Sequence, residues 1–237
     1  VLQAVLFDWG DTLMRWAPTP EHLSDGHRAG LAAIGLDPIP ELTARFRDEY
    51  LPGYFAPGLV EEIEYPAQVR RLLDEFGIAV DDGQLLRFLE AEHAAWAPAR
   101  RLAPTTHALL ESLRERGLRL GLVSNAIDPP DLLHRDLAEF GVAQRLDVAV
   151  FSSEVGRRKP DAAIFERALD LLEVDAPDAL MVGDTLETDI AGAAALGMNT
   201  CQALWFRADD DASAPEPDYR AFTQMDVLAI VGRLRSD

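Results

Sequence analysis

Val5-Leu6-Phe7-Asp8-Trp9-Gly10-Asp11-Thr12-Leu13 is an apolar run that ends in an acid and breaks into turn-forming residues. A short apolar run bounded by turn signals reads as a buried strand. In open α/β sheets, ligands bind outside the carboxyl ends of the strands. This reading puts Asp8 where a reacting group would stand. An aspartate that merely ends a strand or caps a turn looks the same in isolation. The weight of Asp8 therefore comes from what recurs downstream.

Candidate strands lie at residues 3–8, 119–124, 148–152, 180–183 and 199–203. Helical patterns at 105–116, 130–140, 162–172, 187–196 and 225–235 alternate with them. That alternation predicts an α/β fold with a Rossmann-like parallel sheet core. Gly117 and Gly197 fall just past two of the helices, where a left-handed cap suits glycine. Residues 14–101 interrupt the alternation with helical patterns at 21–34, 40–51, 66–76 and 82–96, and no convincing strand among them. Breakers flank the interruption: Trp16-Ala17-Pro18-Thr19-Pro20 and Trp96-Ala97-Pro98-Ala99. The stretch reads as an all-helical cap domain, 15–101, inserted after the first strand of a core formed by 1–14 and 102–237. Within it, residues 51–58 read as a loop with an aromatic tip; in the core stretch, 208–217 reads as an acidic surface loop before the last helix.

Composition narrows the partners. The 237 residues are 48% hydrophobic, enough for a large core. No apolar run approaches the roughly 18 residues of a membrane span. The first residues read as a strand rather than a secretory leader. A lone Cys201 fits a reducing cytoplasm. The net charge of −19 argues against nucleic acid and anionic membranes. It also repels a phosphorylated substrate, which would need a local cation. Among 22 basic residues only Lys159 is a lysine. Lysine is a compact point charge on a thin stem, and arginine a broad planar fork. A site that keeps lysine here is one where an ammonium fits and a guanidinium does not.

Three further segments bear on that site. Leu122-Val123-Ser124-Asn125 ends a strand in residues able to donate to an anion. Lys159-Pro160 opens a helix, with Pro160 near the first position, where its missing N–H matters least. Val182-Gly183-Asp184 delivers a second strand-end acid, and Asp189 follows on the next helix. Asp8 and Asp184 would repel each other as neighbours. A hard divalent cation with oxygen ligands relieves that repulsion, and Mg²⁺ characteristically pairs one or two carboxylates with phosphate oxygens.

In this order the segments resemble the haloacid dehalogenase-like (HAD) superfamily, over nearly the whole chain and with a helical cap in the family's usual place. The resemblance implies a Mg²⁺-dependent phosphatase acting on a small phosphorylated metabolite through an aspartyl phosphate. It implies that Asp8 is the nucleophile and that Lys159 neutralises it. Thr12, Ser124 and Asn125 are implied to bind substrate, and Asp8, the Gly10 carbonyl, Asp184 and Asp189 to hold the metal. One position departs from the pattern: the family's phosphatases usually carry a general acid/base aspartate where Gly10 stands. Asp11 is expected to take over that role. Otherwise only good leaving groups would be served, or the protein would bind without catalysis. A metal-independent 2-haloacid dehalogenase is a further alternative, though the intact Asp184 and Asp189 argue for phosphate. Trp16, His22, Tyr54, Phe55 and Trp96 are the cap's candidate substrate contacts, with Arg15, Arg70 and Arg71 as possible partners of an anionic tail. Oligomeric state, monomer or homodimer, is left open.

Overall fold

The computed structural model describes residues 1–56, 58–207 and 215–235. Its strands are β1 (Ala4–Phe7), β2 (Met14–Trp16), β3 (Arg100–Leu102), β4 (Arg119–Ser124), β5 (Val148–Phe151), β6 (Ala179–Gly183), β7 (Asn199–Ala203) and β8 (Tyr219–Ala221). Six of them form one sheet in the order β5-β4-β1-β6-β7-β8, with every neighbouring pair parallel. β1 is wholly buried because both its faces are covered. Val5 and Phe7 pack on one side against α6 (Thr106–Glu115), α7 (Pro130–Glu139) and α11 (Asp226–Leu234). Ala4 and Leu6 pack on the other against α9 (Ala162–Leu172) and α10 (Ala191–Ala195). β1 lies between β4 and β6, so chain order reverses there and opens a crevice at the strands' carboxyl ends.

Between β2 and β3 the regular structure is helical. It comprises α1 (Pro20–Ala33), α2 (Pro40–Arg45), a π-helical turn (Phe46–Tyr50), α3 (Leu51–Tyr54), α4 (Tyr65–Glu75) and α5 (Asp82–Ala95). These helices share their own core, including Leu31, Phe46, Val69, Leu73 and Phe88. The remaining short helix, α8, spans Ser152–Val155.

The expected core elements appear within a residue or so of their predicted bounds, and Gly117 and Gly197 take positive φ of 77° and 78°. Four differences have physical causes. β2 and β3 pair antiparallel, Met14 with Leu102 and Trp16 with Arg100, and make a ribbon at the edges of the helical stretch. Three residues are too few to show a period of two. β8 was not expected, for the same reason. The predicted helix at 187–196 begins as a π-helical segment, Leu186–Ile190, before α10. The expected loop at 51–58 starts as helix α3, burying Tyr54 and leaving Phe55 exposed. Residue 57 and residues 208–214 of the expected loops lie outside the described residues. Among the described residues, no helix is long and apolar enough to cross a membrane.

Candidate active site

Three strand ends and one loop converge in the crevice. β1 continues its ladder through the Asp8 amide, which donates to the Val182 carbonyl at 2.9 Å. β4 delivers Ser124 and β6 delivers Asp184, both buried. Lys159 is 2% exposed. Its Nζ donates to Asp8 Oδ1 at 2.6 Å and to the Val123 carbonyl at 2.8 Å, and stands 2.6 Å from Asp189 Oδ1. Three oxygens thus surround the ammonium, two of them in hydrogen-bond geometry. The Lys159 backbone is held in turn by Asn125, whose Oδ1 accepts from Lys159 N at 2.7 Å and whose Nδ2 donates to Lys159 O at 3.1 Å. Both ends of the Asn125 amide are thus engaged in positioning Lys159. The Lys159–Pro160 peptide is cis. α9 begins two residues beyond Pro160, with Asp161 as its N-cap accepting from Ala163 N at 2.9 Å. Pro160 therefore precedes the cap rather than occupying the helix's first position.

Oxygens of Asp8, Asp184 and Asp189 lie within 4.8 Å of one another. Burial raises Asp8 to about 6, with Lys159 pulling it down and Asp189 pushing it up. Burial raises Asp184 to about 7, helped by Asp189 and Asp8. Burial alone would lower Lys159, but Asp189 and Asp8 outweigh it and hold the ammonium above its ordinary range. The Arg207 Nε stands 2.8 Å from Asp184 Oδ2, a contact that nothing in the spacing of the sequence signalled. Asp189 Oδ1 is buried and faces Lys159 outside hydrogen-bond geometry, which leaves it with acceptor capacity. Three carboxylates against the buried Lys159 and the half-exposed Arg207 leave excess negative charge in a buried site. An all-oxygen, strongly anionic donor set suits a hard divalent cation.

The segment after Asp8 is arranged differently from expectation. Gly10 lines the cavity, and a Cβ added there would meet nothing within 4 Å. Asp11 has φ of 53°, which turns its carboxylate toward β2, where Oδ1 accepts from Trp16 N at 3.2 Å. Burial raises its pKa. Neither Asp11 nor Asp8 is in the cavity wall, so it is the bond to Trp16 N that sets Asp11 apart. Thr12 is fully buried behind the cavity. Its carbonyl accepts from Trp205 Nε1 at 2.8 Å and Gln224 Nε2 at 3.3 Å, and its hydroxyl has no partner among the described residues. The structure thus brings Asp8, Ser124, Lys159, Asp184 and Asp189 together and leaves the side chains of Asp11 and Thr12 aside.

A cavity of about 560 Å³ lies beside this group; of the five side chains only Ser124 is in its wall, together with Gly10 and Asn125. Trp16, His22, Tyr54, Phe55 and Trp96 all line it. Arg15, Arg70 and Arg71 do not. Arg15 lies over the Phe206 ring at 5.6 Å, and Arg70 bonds Asp82 at 2.6 Å. A buried polar clasp joins helix α5 to the sheet domain, unannounced by any motif. His93 Nδ1 meets Asp128 Oδ1 and Nε2 meets Asp136 Oδ1, each at 3.0 Å, while Arg100 also pairs with Asp136.

Several known proteins share this sequence or shape. The chain is 29% identical over 231 residues to ribulose-1,5-bisphosphate 5-phosphatase of Halopiger xanaduensis, covering 93% of this chain and 91% of that one. It is 33% identical over 201 residues to phosphoglycolate phosphatase of Rhodospirillum rubrum, covering 83% and 77%. A crystal structure of 2-haloacid dehalogenase from Pseudomonas syringae superposes with a TM-score of 0.70 at 25% identity, covering 98% of this chain and 99% of that one. The family model of haloacid dehalogenase-like hydrolases matches residues 2–197, which include all five of the gathered side chains. With most of its length matched by that model, the chain belongs to the haloacid dehalogenase-like hydrolase family.

Proposed function

We propose that this hydrolase is a Mg²⁺-dependent phosphatase of small-molecule phosphate monoesters, with Asp8 as its nucleophile. The observation that carries the reading is the meeting of Asp184 and Asp189 with Asp8 around Lys159. A dehalogenase that works without metal has no use for that surplus of carboxylates. Asp8, Asp184, Asp189 and the Gly10 carbonyl would hold Mg²⁺; when bound, its charge offsets that of the carboxylates and of the phosphoryl oxygens.

In the first step an Asp8 oxygen bonds to phosphorus, and the bond to the alcohol oxygen breaks with its electron pair leaving on the alcohol. In the second, water bonds to phosphorus and gives up a proton to solvent, the bond to Asp8 breaks with its electron pair returning to the carboxylate, and phosphate departs with the water's oxygen. Splitting the hydrolysis lowers each barrier. Lys159 holds the Asp8 oxygen in place and faces the charge that builds on the transferring group. Ser124, buried at the end of β4 and part of the cavity wall, is positioned to donate to a phosphoryl oxygen. Asn125 acts as a positioning residue through Lys159. The orientation of Asp11 favours departure of the leaving group without an enzymic acid over Asp11 as the stand-in. A buried single cysteine suits a reducing compartment such as the cytoplasm. The test is hydrolysis of a panel of phosphate monoesters with Mg²⁺ and with EDTA. The reading expects turnover with Mg²⁺ alone, lost in Asp8→Asn. Halide release from 2-haloacids that EDTA leaves intact would overturn it.

A further inference from the structure

We infer that the substrate is a phosphate monoester whose leaving group is an uncharged aromatic alcohol of phenolic acidity. The inference rests on the phosphatase reading above and adds the class of substrate to it.

Its first support is the state of every cation at the cavity wall. Among the described residues the wall's arginines are Arg47, Arg100 and Arg158. Arg47 makes a two-pronged pair with Asp48 at 2.7 and 2.9 Å. Arg100 is buried against Asp136 and the His93 carbonyl. Arg158 donates to Glu62 Oε1 at 2.7 Å. His22 accepts from Thr19 N at 2.9 Å through Nδ1. The acids Asp128 and Asp136 also reach the wall. A carboxylate or second phosphate on the substrate would find no unpaired arginine on the wall and would stand beside two acids, which is unfavourable.

The second support is what the wall offers instead. Trp9, Trp16, Tyr54, Phe55 and Trp96 present ring surface, and Leu133 and Ile127 fill between them. Such a surface gains most from burying another ring. The third support is independent and chemical. Gly10 carries no acid, and the Asp11 carboxylate is bonded to Trp16 N. A leaving group must then depart as its own anion. Phenolic hydroxyls have pKa of about 10, against about 16 for water, so an aryl oxide can leave where an alkoxide cannot. As Asp8 bonds to phosphorus, the phosphorus–aryl oxygen bond breaks and the aryl oxide takes the electron pair, gaining its proton from solvent afterwards.

The experiment compares kcat/KM with Mg²⁺ for phenyl, 2-naphthyl and 4-carboxyphenyl phosphate, benzyl phosphate and phosphoglycolate. Phenyl and carboxyphenyl phosphate share a leaving-group type and differ in charge. The inference expects carboxyphenyl phosphate to be at least about 10-fold worse than phenyl, chiefly in KM. It expects naphthyl phosphate to be the best and phosphoglycolate at least about 100-fold below it. A second readout needs no turnover. Three of the four tryptophans line the cavity, so naphthylmethylphosphonate should change tryptophan emission and phosphonoacetate should not. Mg²⁺-dependent turnover that prefers the anionic esters, or emission that answers only phosphonoacetate, overturns the inference and leaves the phosphatase reading standing. Phosphate release from none of the esters overturns both.

Discussion

Replacing Lys159 with methionine keeps the length of a buried side chain and removes its charge. In the native site that charge meets Asp8 and Asp189, each at 2.6 Å, with all three residues under 10% exposed. Removing one partner from a buried ion cluster costs about 3–5 kcal/mol, because the remaining charges stay dry and uncompensated. At about 2–4 °C per kcal/mol for a chain of this size, the melting temperature should fall by roughly 6–20 °C. The fall should depend on pH. Asp8 has its pKa already raised to about 6 and would take a proton in the variant instead of bearing an unpaired charge. Metal-free melting curves of both proteins at pH 8 and pH 5 therefore test the reasoning, with the large fall at pH 8 and a smaller one at pH 5. Lys159→Arg restores the charge but not the shape, and overpacking costs about 1–3 kcal/mol. It should recover part of the stability and little activity. An equal fall at both pH values, or a fall under about 3 °C at pH 8, would refute the electrostatic account of this residue.

Asp8 and Asp184 hold protons in the fold, at pKa of about 6 and about 7, that carboxylates at 3.8 have already lost. The metal-free protein should therefore lose stability as pH rises from about 4 to about 7 and level off above. Mg²⁺ competes with those protons, so its thermal stabilisation should be larger at pH 8 than at pH 5; scanning fluorimetry with Mg²⁺ and EDTA would show otherwise if the donor set is wrong. Gly10→Asp places a carboxyl in open space at the cavity wall. It should raise kcat on benzyl phosphate toward the 10²–10⁴-fold typical of general acid–base catalysis, about 10-fold at minimum, while phenyl phosphate gains less. A Cβ at Gly183 would collide with the Asp189 carboxylate. Gly183→Ala should push that group off Lys159, reduce Mg²⁺-dependent turnover and cost about 1–3 kcal/mol in thermal or urea denaturation.

The sheet was legible because β1, β4 and β6 carry apolar runs with sharp ends, and burial on both faces demands that composition. Asp8, Ser124 and Asp184 were legible because strand ends deliver them, and Lys159 because it is the chain's only lysine. What stayed hidden depends on angles and distant pairings. The turn of Asp11 toward Trp16 follows from a single positive φ that no residue type announces. Asn125 looked like a ligand for substrate, and only the fold shows its amide closed on the Lys159 backbone, 34 positions away. Arg207 reaches Asp184 from after β7, and His93 finds Asp128 and Asp136 across 35 and 43 positions. The aromatic candidates could be picked out one by one, but the sequence could not say that they share one cavity or that its arginines are already paired.

The most direct test of the central claim is to trap the covalent intermediate. The protein would be mixed with 2-naphthyl phosphate and Mg²⁺, quenched in acid within the first turnover, digested, and read by mass spectrometry. The account predicts a phosphoryl group on the peptide carrying Asp8, absent with EDTA and absent from Asp8→Asn, which releases no phosphate. Sustained Mg²⁺-dependent phosphate release by Asp8→Asn, or a phosphoryl group found on another residue, would contradict it.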